Sequence, residues 1–185
     1  NDLTTLPVFI SLYDAQVYCR KNNFTTLPPL SWKVSSLDCG DNKISNLINL
    51  PYKLVGLICD HNLLTSFTFY SNSPFINSLN CSNNNITALY NIPSTLSYLN
   101  CSYNQISSIP FLPFSVNTLI CNDNPYLSCI PDRLNNLQVF YFNNTQIHCM
   151  PNRFACSSFD KNPNTLPLCG PLSGCKYYYN VIGDV

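Results

Sequence analysis

Residues 97–113 read "SYLNCSYNQISSIPFLP", and residues 77–93 read almost the same, "NSLNCSNNNITALYNIP". Both stretches contain the pattern Leu-x-Cys-x-x-Asn-x-Ile, in which x is any residue. In the first stretch, Leu99, Cys101, Asn104 and Ile106 fill its fixed positions. Two such phrases in tandem predict that the chain is built from one repeated unit.

Aligning the chain on this phrase gives six copies, whose cysteines are spaced by 20, 20, 22, 20 and 20 residues. The cysteines are Cys19, Cys39, Cys59, Cys81, Cys101 and Cys121, and the asparagines are Asn22, Asn42, Asn62, Asn84, Asn104 and Asn124. A seventh, degenerate copy has Phe140, Phe142, Thr145 and Ile147 in the same positions. A period near 20 residues with this consensus is the signature of a leucine-rich repeat solenoid.

The predicted fold is therefore mainly β, with ~20-residue coils, short parallel strands on a concave face and extended, polyproline-like segments on the convex face. The solenoid is expected over residues 1–154, with about seven coils. A Cys-rich C-terminal cap is expected over 155–176, and the start of a following module or a linker over 177–185. Because residue 1 falls in the middle of a repeat, we expect the solenoid to be truncated at its N-terminus.

The charge content argues against nucleic-acid binding and membrane insertion. The formal net charge is zero and only 10% of residues are charged, whereas nucleic-acid recognition depends on clustered lysine and arginine. No apolar run approaches the ~20 residues that span a bilayer. No cofactor is expected.

Strand alternation explains the leucine and cysteine of each copy, since both point inward while the residues between them point outward. The asparagine leaves the strand, where its amide can satisfy backbone groups of neighbouring coils. A metal site is disfavoured, because no Cys-x-x-Cys pair exists. Phe142 fills the cysteine position in the seventh copy. We therefore predict that the six repeat cysteines are buried free thiols that act as small apolar groups.

The other five cysteines lie near the C-terminus, where a solenoid needs a cap over its last coil; they are Cys129, Cys149, Cys156, Cys169 and Cys175. Their clustering predicts disulfides and an oxidising compartment. We predict a Cys129–Cys149 bridge, with Cys156–Cys169 as the second pair. The alternative joins Cys149 to Cys156 and Cys169 to Cys175, and spacing alone does not decide between them.

The repeats and the closing phrases "NPYLSCIP" (124–131), "NTQIHCMPN" (144–152) and "NTLPLCG" (164–170) resemble the leucine-rich repeat regions of secreted and cell-surface proteins of Bacteroidetes. The resemblance implies a multi-domain parent with further β-rich modules and a C-terminal sorting domain of the type IX secretion route. An extracellular or cell-surface location follows as an expectation.

Catalytic signatures are missing from the sequence. It contains no Gly-x-Ser-x-Gly, no His-Glu-x-x-His and no glycine-rich phosphate loop, and His61 and His148 are its only histidines. His61 is expected near Asp60 and Asp41, which could mimic a His/Asp pair, but a solvated polar edge is the favoured interpretation. We therefore expect no catalytic residue, no metal and no enzyme activity.

The outward strand residues that depart from the Asn/Ser template are the predicted ligand contacts of a concave recognition face. They are Tyr18, Arg20, Asp38, Ile58, Asp60, Tyr98, Ile120 and Tyr141. The sequence predicts a recognition or adhesion module for a protein or glycan ligand. The alternative is a structural spacer or assembly element that packs on neighbouring subunits of a surface assembly.

One copy is two residues longer than its neighbours and carries Phe69, Tyr70 and Phe75. A bulged loop that tucks one or two of these rings against adjacent coils is the favoured interpretation. An exposed aromatic contact patch is the alternative.

Overall fold

A computed structural model describes residues 2–5, 14–48, 50–69, 74–131, 136–150, 158–159 and 166–167. Within these residues the chain forms no α-helix and ten short strands. In chain order they are β1 Ala15–Tyr18, β2 Val34–Asp38, β3 Gly56–Ile58, β4 Phe67–Thr68, β5 Ser78–Asn80, β6 Leu89–Tyr90, β7 Tyr98–Asn100, β8 Thr118–Ile120, β9 Val139–Tyr141 and β10 Ser158–Phe159.

Eight of these strands form one parallel sheet in the order β1-β2-β3-β5-β7-β8-β9-β10. Each strand pairs with the equivalent strand of the next coil, so the leucines align directly; Leu57 lies between Leu37 and Leu79. Parallel strands joined by one full coil each form a solenoid. The prediction of a leucine-rich repeat solenoid with coils of about 20 residues is confirmed.

The return side of the coils is less regular. There β4 and β6 pair in parallel as a separate two-stranded sheet, and Ser108 forms a further parallel bridge with Cys129. Phe67 and Phe69 are buried in the long copy, with ring centroids 4.9 Å apart. Phe69 is thus tucked inward, Phe75 is exposed, and Tyr70 lies outside the described residues.

The core consists of side chains that stack from one coil to the next. Three columns supply half of its residues: Leu37, Leu57, Leu79, Leu99, Leu119 and Phe140; the six repeat cysteines; and Phe24, Ile44, Leu64, Ile86, Ile106 and Ile147. Full burial of a large apolar side chain contributes roughly 1.5–3 kcal/mol to folding. Each coil therefore depends on its two neighbours for its apolar contacts.

The six repeat cysteines are free and buried. Burial raises the pKa of Cys19 to about 11 and that of Cys101 to about 12. The Cys121 thiol donates to the carbonyl of Tyr141 at 3.3 Å. Neutral, buried thiols behave as small apolar groups, and the redox state of the column in the cell stays a prediction.

The repeat asparagine hydrogen-bonds to backbone groups of its own coil and of the preceding coil. The Nδ2 group of Asn84 donates to the carbonyls of Cys59, Cys81 and Ser82, each at 3.1 Å. Its Oδ1 accepts the amide of Leu64 at 3.0 Å. Asn42, Asn62, Asn104 and Asn124 repeat the pattern. The prediction of a structural role for these asparagines agrees with this geometry.

The residue before the repeat asparagine adopts the left-handed conformation in each coil. The φ angles lie between 49° and 58° at Lys21, Asp41, His61, Asn83, Tyr103 and Asp123. This reversal turns the following asparagine side chain into the coil. Asparagine, aspartate and histidine are enriched among non-glycine residues with this conformation, and they fill four of the six positions, Asp41, His61, Asn83 and Asp123.

The seventh coil forms with a reduced version of the same contacts. Phe140 and Phe142 are buried and stack with ring centroids 4.6 Å apart. The Thr145 hydroxyl donates to the carbonyl of Phe142 at 2.8 Å. Beyond it, β10 pairs with β9, so the strand ladder continues past residue 154, where the solenoid was expected to end.

Cys129 and Cys149 stand apart from the column thiols, which are the six free cysteines of the described residues. Cys156, Cys169 and Cys175 lie outside the described residues. The pairing of Cys129 with Cys149 and of Cys156 with Cys169 therefore stays a prediction.

Asn84→Ala should destabilise the fold by about 3 kcal/mol or more, because it leaves several buried backbone groups without partners. Asn84→Asp should be nearly as damaging, since a carboxylate cannot donate to the three carbonyls. Urea unfolding measures the cost. Asn85 is exposed, and the control Asn85→Ala should cost less than about 0.5 kcal/mol. Equal costs for Asn84→Ala and Asn85→Ala would contradict the structural role.

Stability should fall as the pH rises above the ordinary thiol pKa of 9.0. The unfolded chain loses its thiol protons first, because burial raises the pKa of the folded thiols. Their contribution is therefore complete below about pH 9 and is lost progressively towards pH 12. Thermal unfolding from about pH 8 to about pH 11 should show the decline. Replacing Cys59 and Cys101 by alanine should flatten it, and an unchanged slope would contradict this account.

Candidate recognition surface

The outward residues of the long sheet form two rows, which together we call the strand face. Within each row, the strand register places each residue directly beside its equivalent in the next coil. The first row is Gln16, Ser36, Gly56, Ser78, Tyr98, Thr118 and Val139. The second row is Tyr18, Asp38, Ile58, Asn80, Asn100, Ile120 and Tyr141. The predicted contacts on strands thus all belong to one continuous surface, whereas Arg20 and Asp60 follow their strands.

The C-terminal half of the strand face carries no charged side chain from Ser78 to Tyr141. Tyr98 is half-buried, and burial raises the pKa of its hydroxyl although a hydrogen bond with Asn100 opposes the shift. The Oδ1 of Asn100 also accepts the amide of Ser102 at 3.1 Å. Ile120 lies beside Asn100 and Tyr141 in the second row. This half is uncharged, with polar side chains fixed by local hydrogen bonds.

Tyr18 stands at the opposite end of the face and is its most exposed aromatic residue, at 71%. Its hydroxyl donates to Oε1 of Gln16 at 2.5 Å. The second row places Asp38, Ile58 and two asparagines between Tyr18 and Ile120. The structure therefore separates the predicted aromatic contacts into two groups.

Arg20 links three successive coils through ion pairs. Its Nη1 and Nη2 atoms bind Oδ1 and Oδ2 of Asp60 at 2.7 and 2.6 Å, a bidentate pair. Its Nε lies 2.9 Å from Oδ2 of Asp41, and its Nη1 lies 3.2 Å from Oδ1 of Asp38. Bidentate arginine–carboxylate pairs are among the stronger charged interactions. This network holds the first coils together.

The expectation that Asp60 is exposed for ligand contact is wrong, because its exposed fraction is only 5%. Arg20 covers it, and Nδ1 of His61 lies 2.8 Å from its Oδ2. Burial alone would raise the pKa of Asp60, but the hydrogen bonds of Arg20 and His61 lower it below 3.8. His61 itself is exposed, in keeping with a solvated polar edge.

Gly40 makes this arrangement possible, since the Arg20 side chain crosses directly over it. A Cβ atom at position 40 would lie 2.6 Å from Oδ1 of Asp60 and 2.7 Å from Cζ of Arg20. The sequence analysis missed the network that joins Arg20 to Asp41. One sequence signal could have revealed this network: Arg20, Asp38, Asp41 and Asp60 all lie in three successive early copies of the repeat.

Other chemistry finds no support in the described residues. No three His, Cys, Asp or Glu side chains among them are placed to hold one metal ion. Nor does any described segment form a helix with the length and apolar character needed to cross a bilayer.

Comparison with solved structures identifies leucine-rich repeat proteins of Yersinia. YopM from Yersinia enterocolitica WA-314 is 26% identical, with a TM-score of 0.67 over 91% of this chain and 39% of that one. YopM from Yersinia pestis, described as a leucine-rich effector protein, is 19% identical, with a TM-score of 0.56 over 90% of this chain and 56% of that one. This chain thus spans less than two thirds of either structure. No protein-family model and no curated protein matches the sequence.

Gly40→Ala should displace Arg20 from Asp60 without removing a charge, and should cost about 1–3 kcal/mol of stability. Gly56→Ala is the matched control, since its added Cβ would lie 3.6 Å from Oγ of Ser36, an ordinary contact. In an Arg20→Ala background, Gly40→Ala should cost much less. Denaturant unfolding of the four combinations gives the coupling. Equal costs in both backgrounds would show that the backbone, and not Arg20, requires the glycine.

Proposed function

We propose that the chain is a non-catalytic recognition module that binds a protein or glycan ligand through the uncharged half of its strand face. The observation that carries the proposal is the grouping of Tyr98, Ile120 and Tyr141 on one continuous sheet surface. Aromatic and aliphatic side chains among hydroxyl and amide groups are typical of binding surfaces. The likeness to leucine-rich repeat proteins supports interaction over catalysis.

The ligand for this surface is one that hydrogen bonds and apolar contact can hold. Between His61 and Asp123 the sequence contains no Asp, Glu, Lys or Arg. Ionic attraction therefore contributes little, and binding should respond weakly to salt. The rigid sheet pre-organises the surface, which lowers the entropic cost of binding.

The proposed setting is a larger exported protein of the bacterial cell surface. The clustering of Cys129, Cys149, Cys156, Cys169 and Cys175 near the C-terminus supports an oxidising compartment. The resemblance of the repeats and closing phrases to Bacteroidetes surface proteins supports the same setting.

A structural spacer or assembly element is the second candidate. It is favoured by the central coils, where Ser78, Asn80 and Asn100 keep the repeat template and Asn80 accepts hydrogen bonds from Ser82. Self-association of the purified chain, measured by analytical ultracentrifugation, would support this function.

The Tyr98→Ala/Tyr141→Ala double variant should weaken binding by at least about tenfold, because central aromatic residues carry most of the energy of an interface. Protein and glycan arrays find the ligand, and calorimetry measures its affinity. Tyr18→Ala is the matched control, since it removes a more exposed tyrosine from the charged half of the same face. Unchanged affinity in a folded double variant, or equal loss in the control, would contradict the assignment.

A further inference from the structure

A second surface lies beside the strand face, in the turns that precede β2, β3 and β5. Trp32, Tyr52 and Phe75 are 55%, 49% and 46% exposed there. Each comes one or two residues before a buried apolar residue, which begins β2 (Val34) or lies two residues before β3 (Leu54) or β5 (Ile76). We call Trp32, Lys33, Tyr52, Lys53 and Phe75 the turn patch.

The turn patch is contiguous across three coils. The Nζ atoms of Lys33 and Lys53 lie 5.4 and 5.3 Å from the centroid of the Trp32 ring. The rings of Tyr52 and Phe75 meet edge to face, with centroids 5.4 Å apart. The amide of Lys53 donates to the carbonyl of Trp32 at 3.2 Å, so the backbone fixes the spacing of the first two turns.

The fold itself does not require aromatic residues at this turn. The next coil forms the same turn with Ser94 and Thr95, ahead of the buried Leu96. Trp32, Tyr52 and Phe75 therefore expose large apolar surface that the core does not use. Contiguous exposed apolar patches on a soluble protein mark interaction sites.

The charges around these rings favour an anionic ligand. Asp14 lies 3.6 Å from Nζ of Lys53, but the two side chains are 72% and 45% exposed, and such surface pairs are weak. Asp38 and Asp60 are bound to Arg20 at the other ends of their strands. Among the described residues, the turn patch carries two lysines and lies beside one exposed carboxylate, that of Asp14, so its net charge is positive.

We propose that the turn patch binds an acidic polysaccharide, separately from the ligand of the strand face. The apolar C–H faces of sugar rings stack on the aromatic rings, while carboxylate or sulfate groups pair with Lys33 and Lys53. Equivalent turns repeat about every 4.8 Å, close to the length of one sugar residue in an extended chain. Successive coils therefore meet successive sugars. The exposed rings form a platform, which suits a sugar chain. Aromatic side chains that anchor a protein partner fill pockets instead.

Trp32 is the single tryptophan of the chain, so its intrinsic fluorescence reports directly on this site. The folded chain is titrated with polygalacturonate, a heparin-type sulfated polysaccharide, neutral dextran and polyglutamate. Either acidic polysaccharide should change the emission, and added salt should weaken the effect. Binding of only the carboxylated or only the sulfated polymer identifies the anionic group. Binding of neither, or equal binding of dextran or polyglutamate, overturns the proposal; polyglutamate binding would indicate an acidic protein partner.

Variants separate the aromatic from the ionic contribution. Tyr52→Ala and Lys53→Gln should each weaken polysaccharide binding about fivefold to tenfold. Phe114→Ala is the matched aromatic control, because Phe114 occupies the slot of Tyr52 in a later coil, next to Ser115. Lys43→Gln is the lysine control.

Both controls and the Tyr98→Ala/Tyr141→Ala variant should bind as the parent chain does. Circular dichroism verifies that every variant is folded. Equal losses in the controls, or no loss in the folded turn-patch variants, would contradict the site. Normal polysaccharide binding by the Tyr98→Ala/Tyr141→Ala variant distinguishes the turn patch from the strand face, whatever the strand face binds.

Discussion

The asparagine amide of each repeat is the interaction on which the rest of the structure depends. A coil this short must turn its backbone inside the protein, where unpaired amides and carbonyls cost about 1–3 kcal/mol each. Asn62 illustrates the solution: its Nδ2 contacts the carbonyls of Cys39, Cys59 and Asp60, and its Oδ1 accepts the amide of Ile44. Because these partners lie in two coils, the bend of one coil and the stacking of the next are stabilised together.

The sequence predicted the features that every copy shares. The strand positions, the buried columns and the asparagine contacts each follow from one template, since strand alternation and the demand for backbone hydrogen bonds act alike in all coils. Features that join unlike residues in different coils were missed. The path of Arg20 over Gly40 to Asp60 depends on side-chain length and coil stacking, and strand parity alone placed Asp60 outside. The pairing of β4 with β6 was missed because the repeat template does not specify return segments.

A solenoid divides its residues between those that stack and those that are free to vary. Its outer positions therefore carry different chemistry along its length without disturbing the core. The early coils combine an arginine–aspartate network with the turn patch, and the later coils present an uncharged sheet surface with Tyr98 and Tyr141. One repeated template thus carries two surfaces of different composition.

The hydrogen bonds of the repeat asparagines form a ladder along the solenoid, which we call the asparagine ladder. Native-state hydrogen exchange tests its central role most directly. The amides of Phe24, Ile44, Leu64, Ile86 and Ile106 each donate to the asparagine Oδ1 of the following coil. If the ladder holds the coils together, these amides exchange only through the largest cooperative opening, at the rate of the neighbouring strand amides. Exchange as fast as that of exposed loop amides, with the strand amides still protected, would contradict the account.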